Sequence, residues 1–518
     1  MLKNLLFTVI INFFLITLCY AAPAPQEINF FVKEFYIQGE SPLTIEKIND
    51  FLKPYQNQHY TLERLNQVAS ALEERIRTGG YSFYRIILPP QTLTDEKIQL
   101  KIISFVVNRI NIKGNKEFSQ TNILSSVPPL IQGQSPNTDT LSDALKLSNR
   151  HPFKKIKVTF KQSENDSDKI DATITVKEKR PYQAFLIFNN TGTNKTGQFR
   201  VTAALQHGNL WGLDHQMSVS YTTSPDHIDT VKQYGVNYSL PLYRLKGILS
   251  TYYAFSDVDN GIIANDFSVT GSGEMYGLHY QQFLPRWGLY EHSMGIGIDN
   301  RFFINDVKFL ETPIGNSIRS VPISLLYKGE YPWKNAKIDF HLQWVGNTGW
   351  GGHNRDSHYQ ESRFNAQHDW HLFRYGANVS TNFKEWLFKV SLTGQYSDEP
   401  IISGEQLGIG GRYSVRGYNE RETSADSGQV VNLEVYTPHL YGVNLLAFYD
   451  YGYGHQQNVV EGEVKNWVLS SVGVGIRWQW KGTVFATLDL AHALDKNVQI
   501  EGTQRSTNSA HASLVFRF

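Results

Sequence analysis

The chain has 518 residues, which exceeds one ordinary domain and suits two small modules followed by one large one. Its formal net charge is +1, so it has neither the basic field of a nucleic-acid binder nor an acidic tail. Aromatic residues make up 13%, with 28 Tyr and 10 Trp, a richness that suits strands facing lipid between interfacial girdles.

Residues 1–22 read as a secretory signal: Lys3, an apolar core from Leu5 to Leu18, then the small residues Ala21 and Ala22 before Pro23. An uncleaved anchor is the alternative, and Pro23 and Pro25 argue against it. The single cysteine, Cys19, lies inside this segment, and bulky Leu18 before it disfavours lipid attachment. Cleavage after Ala21 or Ala22 leaves no thiol, hence no disulfide and no cysteine-based nucleophile or metal site.

Residues 29–107 and 108–179 repeat one small α+β pattern of strand, two helices and two strands. In the first module Phe31 to Ile37 reads as a strand, Thr44 to Leu52 as a short helix, and Thr61 as the cap of a longer one. Leu65, Val68, Ala69, Leu72 and Ile76 recur at helical spacing, with Gly79 and Gly80 as the stop. Tyr84 to Leu88 and Ile98 to Val107 supply the remaining strands. The second module follows with Arg109 to Ile112, helices near Ser119 to Ser126 and Thr138 to Ser148, and strands Ile156 to Phe160 and Ile170 to Val176.

From Tyr182 to Phe518 the pattern becomes strands of about ten residues, the length that crosses a bilayer when tilted. Val472, Val474, Ile476, Trp478 and Trp480 share one face of Ser471 to Trp480, while Ser471, Gly473, Gly475, Arg477 and Gln479 share the other. Arg and Gln are costly in a dry core and acceptable in a wet lumen. Met294, Ile296 and Ile298 alternate in the same way, as do Val484, Ala486, Leu488 and Leu490 against Thr487 and Asp489. The end of the chain repeats it, with Ala512, Leu514, Phe516 and Phe518 on one parity. After residue 22 no apolar run reaches the roughly 18 residues of a spanning helix, and a closed barrel is the other structure that satisfies its backbone in hydrocarbon. About sixteen antiparallel strands are expected over 182–518. The connections alternate too: Leu242 to Arg244 and Phe383 to Glu385 are tight, whereas Asp257 to Ser272, Asn347 to Asp369 and Ser397 to Gln429 are long. Short turns on the periplasmic side and long loops outside are the asymmetry of an outer-membrane barrel.

The last of these, an inward-folding loop over 398–429, contains Gly410 and Gly411 followed by Val415, Arg416, Gly417 and Tyr418. This stretch resembles the loop signature of the outer-membrane polypeptide-transport superfamily, which includes barrel-assembly factors and two-partner secretion transporters. The resemblance implies a loop that folds into the lumen, with Arg416 tied to an acidic wall residue. The matching residue is Asp450 in Phe448-Tyr449-Asp450-Tyr451-Gly452. Phe448 and Asp450 share a parity, so the alternation gives no clean inward assignment, and the resemblance alone turns Asp450 toward the lumen.

Further residues resemble the two-partner secretion branch: Asn190, Gly192, Thr196, Gly197 and Arg200, then Asn209 to Asp214, Pro241 with Leu242, and Asn149 to Pro152. Together they imply two polypeptide-transport-associated (POTRA) modules before a sixteen-strand barrel. The implied function is export of a separately secreted partner polypeptide through an outer-membrane pore, with the modules in the periplasm. The partner that the resemblance implies is a large exoprotein, and the sequence does not decide between a haemolysin, an adhesin, a haem scavenger and a contact-dependent toxin. A monomer surrounded by outer-membrane lipid is expected, with no nucleic acid, cofactor or metal. Lys154, Lys155 and Lys157 are candidate contacts for acidic client segments, or a solvated edge that guards against aggregation. The family often places a pore-filling helix ahead of the first module, and the short run Pro23 to Ile28 puts such a plug in doubt here. Two other readings stay open, a barrel insertase and a passive porin. An enzyme does not suggest itself: Gly192 to Gln198 has P-loop glycine spacing but Gln198 at the lysine position, no G-x-S-x-G elbow occurs, and His368 to His371 reads as a loop edge.

Overall fold

The structure, a computed structural model, describes residues 29–92, 95–193, 196–257, 261–263, 267–269, 272–304, 308–309, 312–313, 317–495 and 507–518. The expected signal, Cys19 and the run Pro23 to Ile28 lie outside the described residues. No helix among those described is long and apolar enough to cross a membrane.

In the first module the expected strand Phe31 to Ile37 is two strands. Phe30–Val32 pairs with Gln58–Tyr60, whereas Glu34–Gln38 runs parallel to Lys97–Ser104 in a three-strand sheet completed by Tyr84–Ile87. The chain changes partner at Lys33, whose N–H donates to Glu96 O at 2.8 Å. Thr44 and Thr61 cap Ile45–Leu52 and Leu62–Arg77, each side-chain oxygen accepting from a backbone N–H three residues on. Leu65, Val68, Leu72 and Ile76 on the long helix close the core over Phe35, Leu100 and Ile102. The strand expected over Ile98 to Val107 also breaks. It ends at Ser104, and Val106–Lys113 starts the second sheet, followed in order by Lys169–Glu178 and Lys154–Gln162. Helices Gln120–Ser125 and Thr138–Asn149 fall as expected, Ser119 capping the first.

The chain divides into two compact units. One runs to Arg109 and includes 131–139 and 161–171; the other holds 110–130, 140–160 and everything from Ala172 onward. Most of the second module therefore belongs to the same unit as the barrel.

The barrel is a closed cylinder of sixteen antiparallel strands from Tyr182–Asn189 to Asn508–Arg517. Ile318–Ser320 and Pro322–Trp333 both pair with Glu291–Phe303 and count as one position in the wall. The face with Val472, Val474, Ile476, Trp478 and Trp480 is exposed, while Asp489 is buried on the lumen side and accepts two bonds from Arg477 (2.5 and 2.9 Å). Trp211, Trp287, Trp333, Phe383, Trp386, Tyr441, Trp480 and Phe518 stand exposed around the short turns, a girdle at one rim.

Two long connections carry structure that periodicity does not reveal. Residues 347–370 contain the helix Asp356–Ser362, and the 398–429 loop contains a small hairpin of Leu407–Ile409 with Thr423–Ala425. The wall strand after that loop resumes at Ser427 rather than after Gln429.

Candidate functional site

The loop between Trp386–Tyr396 and Ser427–Tyr436 turns back against the lumen side of the wall. Gly410, Gly411 and Gly417 take φ values of +108°, +100° and +91°, where a side chain would be strained. Ser414 Oγ accepts from Gly410 N (3.1 Å) and Val415 O accepts from Gly411 N (3.1 Å), closing a tight turn that aims Arg416 at the wall.

Arg416 and Asp450 meet in two parallel charge-assisted bonds. Nε donates to Oδ2 and Nη2 to Oδ1, both at 2.7 Å, and the Arg416 backbone N–H adds a third at 3.1 Å. Asp450 is fully buried and Arg416 nearly so. The remaining guanidinium nitrogen, Nη1, lies 3.0 Å from Glu434 Oε1. Asn432 Nδ2 donates both to Asp450 Oδ1 (2.8 Å) and to Ser414 O (2.7 Å), tying wall, ion pair and loop together.

Phe448 and Asp450 share one face of the strand, as their parity requires, although one is apolar and the other charged. Both side chains face the lumen, and the Phe448 ring lies 3.5 Å beneath the Arg416 guanidinium as a cation–π floor. The same parity continues through Gly452, where a β-carbon would sit 2.6 Å from Ile409 Cγ2 and 2.8 Å from Val415 Cγ2. Gly452 is thus the notch that admits the loop, a role the sequence reading did not assign. Val415 and Tyr418 are buried with Ile409, Val430, Leu469 and Ala493, and Tyr418 OH donates to Ser470 O at 3.0 Å. Gly417 N donates to His511 Nε2 (3.2 Å) and Gly417 O accepts from Ser509 Oγ (3.1 Å), so the loop reaches the last strand.

The Gly452→Val variant is expected to hold the loop off the wall while the ionic partners remain. Overpacking costs about 1–3 kcal/mol. The check is protease cleavage within 398–429 in intact outer membranes, which should rise over wild type.

Of the three lysines considered for client contact, Lys154 is not available. Its side chain is wholly buried, with Nζ 2.5 Å from Asp214 Oδ2 and donating to Asn122 Oδ1 at 2.8 Å. Asp214, at left-handed φ +62° in the turn after Arg200–Leu210, also accepts from Asn122 Nδ2 (2.9 Å) and Tyr243 OH (2.6 Å). Burial pushes the Lys154 ammonium below its ordinary range against the pull of Asp214, and the same loss of water raises the Tyr243 phenol. Beside them His151 Nε2 lies 2.6 Å from Gly208 O, and its Nδ1 accepts from Phe153 N at 3.3 Å. Burial lowers the His151 imidazole, and the neutral form with the proton on Nε2 satisfies both contacts. Lys155 and Lys157, by contrast, are exposed on an edge strand.

Gly192 and Gln198 close the tip between the first two wall strands, Gly192 N donating to Gln198 O at 3.0 Å. Among the described residues, Asp356, His368 and Asp369 bring possible metal-ligating atoms within 4.8 Å of one another. That group already pairs internally: His368 Nδ1 is 2.7 Å from Asp356 Oδ1, and this bond holds the Asp356 carboxyl below its usual range.

Comparison with known proteins agrees with this architecture. Profiles of the ShlB-type POTRA domain and of a second POTRA description, "Surface antigen variable number repeat", match residues 30–104 and 105–179. "Heme/hemopexin transporter protein HuxB" of Haemophilus influenzae is 21% identical over 92% of this chain and 86% of its own length. "Outer membrane transporter CdiB" of Dickeya dadantii is 23% identical over 82% and 76%. In fold, the chain is similar to CdiB from Escherichia coli with a TM-score of 0.76 at 17% identity, covering 97% of this chain and 93% of that one. The profile described as "Haemolysin secretion/activation protein ShlB/FhaC/HecB" matches residues 168–478, more than half of the sequence, and the chain belongs to that family.

Proposed function

We propose that this protein is the outer-membrane translocator of a two-partner secretion pair, and that the buried Arg416–Asp450 latch holds its lumen loop at rest. The observation that carries the reading is that contact itself, a bidentate ion pair between the loop and the wall of a closed cylinder. The family is one of transporters, and no step here calls for catalysis. A monomer embedded in lipid, with its POTRA modules in the periplasm, exports one large exoprotein. The Haemophilus relative is named for heme/hemopexin, and the Dickeya relative's name states no cargo. The partner of this protein is therefore identified by class, a long secreted polypeptide.

Edge strands of the two module sheets, such as Glu34–Gln38 and Lys154–Gln162, offer main-chain groups to an extended client. Exposed Lys155 and Lys157 add charge for acidic client segments on the second of these edges. Folding of the client outside removes the threading chain from the equilibrium and draws export forward without nucleotide.

One observation favours a second reading, an insertase that opens between its first and last strands. That seam is paired over six residues, Ala184–Asn189 against Ser513–Phe518, whereas Val443–His455 and Asn466–Trp480 pair over thirteen. Deletion of the gene separates the readings. Loss of one secreted protein supports export, general depletion of barrel proteins supports insertion, and small-solute conductance with neither effect supports a porin.

A further inference from the structure

The same loop is fastened at a second place, on the opposite side of its launching strand. Glu405 lies on the outgoing limb with its side chain fully buried. Arg301 Nη1 donates to Glu405 Oε2 at 2.6 Å, Arg374 Nη2 to the same oxygen at 3.2 Å, and Ser320 Oγ to Oε1 at 2.9 Å. The Glu405 main-chain oxygen accepts from Arg374 Nη2 (3.3 Å) and Gln395 Nε2 (3.1 Å), so side chain and backbone are both held. Behind the carboxylate, Arg301 Nη2 donates to Asp299 (2.9 Å), which also accepts from Tyr252 OH (2.8 Å).

The positions of these partners around the cylinder matter. Arg301 and Ser320 belong to wall positions four and three places before Trp386–Tyr396, the strand that launches the loop. Asp450 lies two places after it, and His511 five. The loop is therefore braced against two separate arcs of wall. Breaking the pair at Arg416 removes the charged tie to one arc and leaves the limb pinned to the other, where two guanidinium groups on the wall compensate one loop carboxylate.

We infer that Glu405 is a second latch, a positioning residue for export, and that the lumen clears only when both fastenings release. This rests on the loop being the resting closure. Two independent anchors let the tip leave the wall briefly without opening a continuous pore, because the fully open state requires both to be broken together.

The test is ion conductance of the purified full-length protein in planar bilayers, with heat-modifiable gel migration confirming that each variant barrel is folded. Glu405→Gln and Asp450→Asn alone are expected to raise the open fraction only slightly, and the two together by at least about tenfold. Glu405→Asp, which keeps the charge on a shorter arm, should combine with Asp450→Asn to give an intermediate value. Asp450→Asn alone being as open as the double variant would overturn the second latch and leave the first standing. A folded double variant as closed as wild type would overturn it as well. Neither outcome touches the export reading, which falls only if the deletion strain still secretes its partner.

Discussion

Arg416→Ala is expected to abolish or sharply reduce appearance of the partner polypeptide outside the cell, while the barrel still assembles in the outer membrane. Truncating the arginine leaves Asp450 fully buried with Asn432 and the loop backbone as its remaining donors. Breaking a buried pair in this way costs about 3–5 kcal/mol, enough to loosen the loop tip around residue 416 while Glu405 still holds the limb. The wall does not share that cost. Ser427–Tyr436, Val443–His455 and Asn466–Trp480 are joined by continuous backbone ladders that owe nothing to the loop. Asp450→Ala should give the same phenotype. The double variant should be no worse than either single one, since it removes the stranded charge along with its partner. Partner protein in the medium and heat-modifiable migration of the barrel are the paired measurements. Normal secretion by both single variants would remove the latch from the mechanism.

The contrast between what periodicity reveals and what it hides is plain along the strand Val443–His455. Alternation finds the wall because lipid and lumen impose period two on every strand, and Val472 to Trp480 show it without interruption. It fails at Phe448, which is apolar yet points inward because its ring lies under Arg416. A pattern of apolar and polar residues cannot distinguish a ring facing lipid from one facing a cation. The Gly-Gly and Val-Arg-Gly-Tyr loop is legible because glycine at positive φ constrains the sequence locally. Glu405, Arg301 and Arg374 leave no such trace, since each is one charged residue on a separate segment and only closure of the cylinder brings them together. Lys154 misleads for a related reason. In Lys154-Lys155-Ile156-Lys157 the first lysine shares the parity of buried Ile156, so alternation marks it as inward, but a lysine there makes sense only once Asp214 is known to face it.

Lys154→Ala should accordingly be far more damaging than the same change at its neighbour. The substitution leaves the Asp214 carboxylate buried with Asn122 and Tyr243 in place of a full counter-charge, at a cost of about 3–5 kcal/mol. Lys155, exposed one residue along, should lose no more than about 0.5 kcal/mol on truncation. The damaged contact joins the strand Lys154–Gln162 and the helix Gln120–Ser125 to the turn after Arg200–Leu210. Lys154→Ala is therefore expected to raise protease sensitivity within 110–160 and to lower secretion, with the barrel still heat-modifiable. Salt links from the helix Thr138–Asn149 and from Arg150 after it to the barrel, Lys146 and Arg150 with Glu291 on a wall strand and Asp143 with Lys246 in a turn, are partly exposed and weaker, so they cannot replace the buried pair. Combining Lys154→Met with Asp214→Asn removes both charges and keeps a residue that tolerates the left-handed turn, and should recover much of the loss. If the double variant secretes no better than Lys154→Ala although both are folded, charge compensation is not what the pair contributes.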